Sequence, residues 1–245
     1  MNLLEALLAA YPALSTREAN GLILAGKVLI DDVAQTKPGM PIADSAEIRL
    51  RGLNKFVSRS AEKLEGALQV MQFPVAGRNF MDIGSSTGGF TDCLLQRDAA
   101  FVAAVDVGKG LLHQRLRTDA RVQVIEGCDL KKLQASDLNL APEAFVADVS
   151  FTSLEPLLAH AFALLVPKAR PREGLVLFKP QFEIARSERH HLEKGVLRDG
   201  AKASELIAAF TGRMAQRHIQ VQAVQPAAIT GRHGNQEYVL HLVMN

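Results

Sequence analysis

From about Phe56 onward the chain alternates between short apolar runs and segments of helical period. "NFMDI", "FVAAVDV", "RVQVIE", "AFVADVS" and "GLVLFKP" read as strands. "EKLEGALQVM", "FTDCLLQR", "GLLHQRLR", "LEPLLAHAFALL" and "AKASELIAAFTGRMAQR" read as helices. This alternation leaves few folds open, because a parallel strand reaches its neighbour only through a crossover connection, usually a helix. The expected architecture is a doubly wound α/β sheet covered on both faces. Two further runs, "IQVQAVQPAAI" and "QEYVLHLVM", are joined by "TGRHGN" and read as a closing hairpin, so the last of seven strands runs antiparallel.

Composition sets wide limits. The chain has 245 residues, 48% of them hydrophobic, enough for one large domain or a large one with a small partner. A net charge of +2 is too mild to imply nucleic acid by itself, so any such surface must come from local clustering of cations. Cys93 and Cys128 make no disulfide framework and have no metal-ligand spacing around them, and no metal is expected. The apolar start carries Glu5 and no Lys or Arg before Arg17, which does not suit a signal peptide. No apolar run approaches the ~20 residues of a membrane helix. These features lead us to expect a soluble protein of a reducing cytoplasm.

Residues 1–50 read as a separate α+β module. Leu3 to Ala10 is helical in pattern. Ser15 and Glu18 form a capping box for a second helix, and Gly26 is its stop. "KVLID", "VAQT" and "AEIRL" are short strands. So small a module buries little apolar surface and suits binding better than catalysis. The stretch "STREANGLILAGKVLIDDVAQTKPGMPI" resembles the RNA-binding domain of the ribosomal S-four type. That resemblance implies an RNA-facing helix and hairpin, with Arg17, Lys27 and Lys37 as the contacting cations.

Residues 51–60 read as a basic linker to the domain at 61–245. In "RGLNKFVSRSAEK", Arg51, Lys55, Arg59 and Lys63 recur at steps of four, which on a helix would line one face and offer phosphate contacts.

The stretch "NFMDIGSSTGGFTDCLLQ" is a strand, a tight glycine loop and a helix. Its spacing is D-x-G-x-x-x-G-G rather than the dinucleotide pattern G-x-G-x-x-G, so a nicotinamide enzyme is disfavoured. Such a loop suits a cofactor with an amino-acid tail and no pyrophosphate. Gly84 would let the backbone approach the ligand, Asp82 would meet an ammonium directly or through water, and Gly88 and Gly89 allow close packing at the helix start. Asp106, ending the second strand, has the offset of an acid that accepts both ribose hydroxyls. Asp129, after the third strand, would accept from an adenine amino group. Ser85, Ser86, Phe90, Val107, Leu130 and Asp148 complete the expected cofactor set.

Four residues are candidates for chemistry. Asp148 and Lys179 end the fourth and fifth strands, at the edge where open α/β sheets bind ligands. Glu237 begins the last strand and Lys63 lies on the helix before the first. His190 and His191 sit in a charged loop, "ERHHLEKGVLRDGAK", expected to be mobile and to serve as a lid over RNA. His233 reads as a turn residue near the site.

With "SRSAEKLEGAL", "AVDVGKGLLHQRLR", "ADVSFTSL", "FKPQFE", "KGVLRDG" and "GNQEYVLHL" added to the glycine loop, residues 56–245 resemble the FtsJ-like 2′-O-ribose methyltransferases. The chain as a whole resembles the TlyA family of ribosomal RNA methyltransferases, also labelled haemolysins. The resemblance implies a Rossmann-like, seven-stranded class I methyltransferase domain, S-adenosylmethionine as cofactor, ribosomal RNA or ribosomal subunits as partner, and a Lys-Asp-Lys-Glu tetrad falling on Lys63, Asp148, Lys179 and Glu237. A lysine is protonated at neutral pH, with an unperturbed pKa of about 10.4; burial and a second cation lower that value and nearby carboxylates raise it. Lys179 is taken as the base for the ribose hydroxyl with Lys63 as the second cation, the alternative being that Lys179 stabilises a developing alkoxide while water takes the proton; Asp148 and Glu237 orient the two lysines. A catalytically silent RNA-binding protein and a membrane-lytic haemolysin are the alternatives.

Overall fold

The computed structural model describes residues 1–12, 14–31, 33–43, 46, 48–51, 56–150, 153–166, 171–231 and 234–244, with residue 49 by its backbone only. Lys55 and His233 lie outside them. The chain divides into two compact units, Met1–Lys55 and Phe56–Asn245.

The first unit holds helices α1 (Leu3–Ala10) and α2 (Thr16–Leu24) and strands β1 (Val28–Ile30), β2 (Val33–Gln35) and β3 (Ile48–Leu50). Both helices start on reciprocal capping boxes, which satisfy otherwise orphaned backbone donors. Ser15 and Glu18 do this for α2, as their spacing predicts, and Asn2 and Glu5 do the same for α1. Gly26 takes a φ of +66° just past α2 and turns the chain into β1, the central strand of the antiparallel order β2-β1-β3. Leu3, Leu7, Ala19, Ile23, Val28 and Ile30 form its core.

The second unit contains α3 (Ser60–Val70), β4 (Asn79–Ile83), α4 (Gly89–Gln96), β5 (Phe101–Asp106), α5 (Gln114–Arg117), β6 (Val122–Glu126), β7 (Ala144–Ala147), α6 (Glu155–Ala163), β8 (Arg172–Phe178), α7 (Pro180–Glu183), β9 (Leu192–Glu193), β10 (Val196–Leu197), α8 (Gly200–Ala215), β11 (Ile219–Pro226) and β12 (Tyr238–Met244). Its main sheet has seven strands in the order β11-β12-β8-β7-β4-β5-β6, with β12 antiparallel to both neighbours and the pairs from β8 to β6 all parallel. Successive strand residues face opposite sides. Phe80, Val102, Val146 and Leu175 thus pack with Leu64 and Leu68 of α3 and Leu94 of α4. Met81, Ala103, Phe145 and Val176 pack on the other face with Phe162 of α6 and Phe210 and Met214 of α8.

Three expectations need correction. The helix read over "GLLHQRLR" is only the single turn α5, because Gly110, Leu111 and Leu112 donate their N–H groups to the Glu126 carboxylate instead of propagating a helix. The basic run at steps of four is not one helix face. Arg51 follows β3 in the first unit, Arg59 precedes α3, and Lys63, the member inside α3, is buried. The charged stretch read as a loop holds regular structure: a 3-10 helix over Arg186–His191, tied through Glu188 to Lys202 of α8, then the β9–β10 hairpin.

Candidate active site

Strands β4, β5, β6, β7 and β8 end along one edge of the sheet, and antiparallel β12 begins there. At this edge lies a cavity of about 1040 Å³ whose lining includes Lys63, Asp148, Lys179 and Glu237. The structure therefore brings together the four candidates for chemistry, drawn from four separate places in the chain.

They are held as two ion pairs. Lys63 Nζ of α3 donates to Glu237 Oε2 over 2.6 Å, and both side chains are buried. Lys179 Nζ lies 2.6 Å from Asp148 Oδ1 and donates a 2.8 Å hydrogen bond to Ser150 Oγ. Lys179 is 7% exposed and borders the cavity. Gln181 Nε2 adds a 3.4 Å contact to Glu237 Oε1. The approach of Glu237 depends on Gly231, where a Cβ would come within 2.4 Å of Glu237 Oε1. Ser150, Gln181 and Gly231 were not singled out from sequence. Ser150 carries a signal in hindsight, as a hydroxyl two residues past a strand-end acid.

The expected cofactor residues fall into three groups. Gly84, Ser86, Asp106, Val107, Asp129, Leu130 and Asp148 line the large cavity. Ser85 and Phe90 line an adjoining cavity of about 410 Å³, which shares Gly84, Ser86, Asp148, Ser150 and Lys179 with the first. Asp82, Gly88 and Gly89 line neither and act on the loop itself. Gly84 has a φ of +78°, and a Cβ there would sit 2.7 Å from the Asp148 carbonyl oxygen, so glycine is required for the close approach of loop and β7. At Gly89 a Cβ would lie 2.1 Å from Ser60 Oγ and 3.1 Å from Ala61 N, so the close packing of α3 on α4 uses the glycine.

Asp82 is wholly buried. Its Oδ2 accepts from Thr91 Oγ1 at 2.6 Å, while its Oδ1 has no hydrogen-bond partner among the described residues. Burial pushes its carboxyl up to about 7, against the Thr91 hydrogen bond and reinforced by the nearby Asp148. Asp82 borders neither cavity, and the side-chain contact it makes is to Thr91 in the first turn of α4. Asp106 accepts from Ser86 N at 2.8 Å and from Gly108 N at 2.7 Å, one bond on each oxygen. A carboxylate offers about four lone-pair directions, so two remain for hydroxyl groups. Asp129 caps the turn that follows it through Lys131 N.

Glu126, also missed in the sequence reading, ends β6 and gathers the N–H groups of Gly110, Leu111 and Leu112 together with the Arg117 guanidinium. These donors, the Leu112 N–H foremost, hold its carboxyl down at about 2. Through them it fixes the loop that carries Leu111 to the cavity wall.

The fit to a sulfonium nucleoside can be judged from these parts. Gly84 on the cavity wall, a strand-end acid with free lone pairs at Asp106, and apolar walls at Val107 and Leu130 suit a donor with an adenosine body. Sheet order, antiparallel last strand and ligand cavity at the carboxyl edge define a class I methyltransferase fold.

More narrowly, the chain belongs to the FtsJ-like methyltransferase family, whose model matches residues 56–244. It is 37% identical over 232 residues to TlyA of Mycobacterium tuberculosis, named a 16S/23S rRNA (cytidine-2′-O)-methyltransferase, covering 94% of this chain and 85% of that one. YqxC of Bacillus subtilis, provisionally named an rRNA methyltransferase, is 36% identical, with 98% and 84% covered. Among solved structures, a provisionally named hemolysin from Streptococcus thermophilus superposes with a TM-score of 0.74 at 33% identity, covering 94% of this chain and 83% of that one. Among the described residues no helix is long and apolar enough to cross a membrane.

Proposed function

We propose that this protein transfers a methyl group from S-adenosylmethionine to the 2′-hydroxyl of a ribose, that of a cytidine, in ribosomal RNA. The observation that carries the reading is the meeting of Lys63, Asp148, Lys179 and Glu237 in one cavity that Gly84 of the glycine loop also borders.

When bound, S-adenosylmethionine supplies a methyl carbon already activated by a sulfonium, so no acid is needed at the leaving sulfur. The task left to the protein is alignment and removal of one proton. Lys179, once its own proton has passed to solvent, would take the proton of the 2′-hydroxyl while that oxygen accepts the methyl group. Asp148 and Ser150 hold that amine at a fixed point on the cavity wall. Glu237 holds Lys63 as a second cation bordering the same space, where it favours the developing negative oxygen. Asp106 would hold the donor's ribose hydroxyls, and Asp129 its adenine amino group.

The first unit serves to grip RNA. Arg17 on α2, Lys27 before β1 and Lys37 after β2 are exposed and available to phosphates, as are Arg51 and Arg59. An rRNA substrate assigns the enzyme to the cytoplasm. The test is incubation with methyl-labelled donor and either ribosomal subunits or bare rRNA, followed by mapping of the modified nucleotide. Label on a ribose 2′-oxygen supports the reading, and label on a base, or none on RNA, contradicts it.

A further inference from the structure

Strands β9 and β10 pair Glu193 with Val196 and Leu192 with Leu197, which leaves Lys194 and Gly195 as a two-residue hairpin loop. Both have positive φ, +50° and +83°, as a type I′ turn requires. Such turns favour Asn, Asp or Gly at the first position, so a lysine there is held against its own backbone preference. The turn is nevertheless fixed. Asn235, 5% exposed, accepts from Leu197 N at 2.9 Å and donates to Gly195 O at 3.1 Å. Asn235 stands two residues before Glu237, and Lys194, Gly195 and Asn235 all border the cavity that holds the two ion pairs. Lys194 is exposed, and no described residue forms a salt bridge with it. An unpaired cation on a clamped turn of positive φ, bordering the cavity that holds the two ion pairs, is placed for a phosphate.

We propose that Lys194 contacts the backbone phosphate next to the acceptor ribose, and that Asn235 is the positioning residue that holds its turn. The assignment rests on the RNA-methylating reading above.

The informative substitution is Lys194→Asn, which suits the turn better than lysine and removes the charge, so folding and charge are separated. It is compared with Lys194→Arg, and with Arg121→Gln as a control at a cation paired with Asp119 that borders neither cavity. Binding of the full chain to purified 16S and 23S rRNA is measured across a salt series, with steady-state methylation and calorimetric affinity for S-adenosylmethionine alongside. For Lys194→Asn we expect an unchanged or raised Tm, unchanged donor affinity, a several-fold higher KM for RNA with kcat retained, and a log–log salt slope shallower by about 0.7 to 0.9. Lys194→Arg and Arg121→Gln should match the wild type. An unaltered slope and KM in Lys194→Asn, or a loss confined to donor affinity, overturns the proposal. A wild-type chain that binds rRNA but methylates none of it refutes the catalytic reading instead, and the salt slopes still decide the role of Lys194.

Discussion

Lys63 and Glu237 lie 174 residues apart in the chain and 2.6 Å apart in space, buried together where α3 meets the start of β12. Removing one partner of such a pair strands the other charge without water. Lys63→Met should therefore lower stability by about 3–5 kcal/mol, while Lys63→Met with Glu237→Leu should recover most of it. Neither variant should methylate RNA. Thermal unfolding beside a methyl-transfer assay checks both parts, and full activity in the double variant would show the pair to be scaffolding only.

Gly231 offers a way to move Glu237 without altering it. Because an added Cβ would come 2.4 Å from Glu237 Oε1, Gly231→Ala should push that carboxylate off Lys63. The expected outcome is a large fall in kcat with donor affinity retained, read by calorimetry and single-turnover kinetics. Unchanged turnover would mean that Glu237 does not need its present position.

Asp82 makes stability depend on pH. Its carboxyl stands at about 7 in the folded chain against 3.8 for the free side chain, chiefly through burial. A folded pKa above the unfolded one gives stability that is complete below 3.8 and is lost as pH rises through about 7. The loss is on the order of 4 kcal/mol. Asp82→Asn should flatten the profile between pH 4 and 8 in denaturant titrations. A wild-type profile already flat there would contradict the burial argument.

Glu126 has the opposite sign. Its carboxyl is held at about 2 against 4.5, so its contribution is present above 4.5 and fades as pH falls through about 2. At neutral pH its loss should act on the ligand. Glu126→Gln releases the loop bearing Leu111, and donor affinity should weaken by about tenfold, the scale of one lost charged hydrogen bond. Equal affinity in calorimetry would mean that the loop holds its place without Glu126.

Much of this was legible in the sequence because it depends on local rules. The β–α alternation, the Ser15–Glu18 capping box, the glycine loop and the strand-end positions of Asp106, Asp148 and Lys179 each follow from spacing within a few residues. What was missed depends on contacts distant in the chain. The pattern of Arg51, Lys55, Arg59 and Lys63 has helical spacing, but charge spacing cannot reveal that α3 begins only at Ser60 or that Lys63 turns inward to Glu237. Nor could periodicity foresee that Glu126 would take three N–H groups from "GLL" and stop a helix there. The roles of Ser150 and Asn235 arise only when two strand ends, or a hairpin and β12, are brought side by side.

The central claim is that the Lys179 amine, fixed by Asp148 and Ser150, takes the proton from a ribose hydroxyl as it accepts the methyl group. Single-turnover transfer of labelled methyl to rRNA by wild type and by Lys179→Met, at matched donor occupancy, tests it most directly. The account predicts 2′-O-methylribose from the wild type and a rate lower by about 100-fold or more in the variant. Equal rates in the two proteins, or label recovered on a base instead of the sugar, would contradict it.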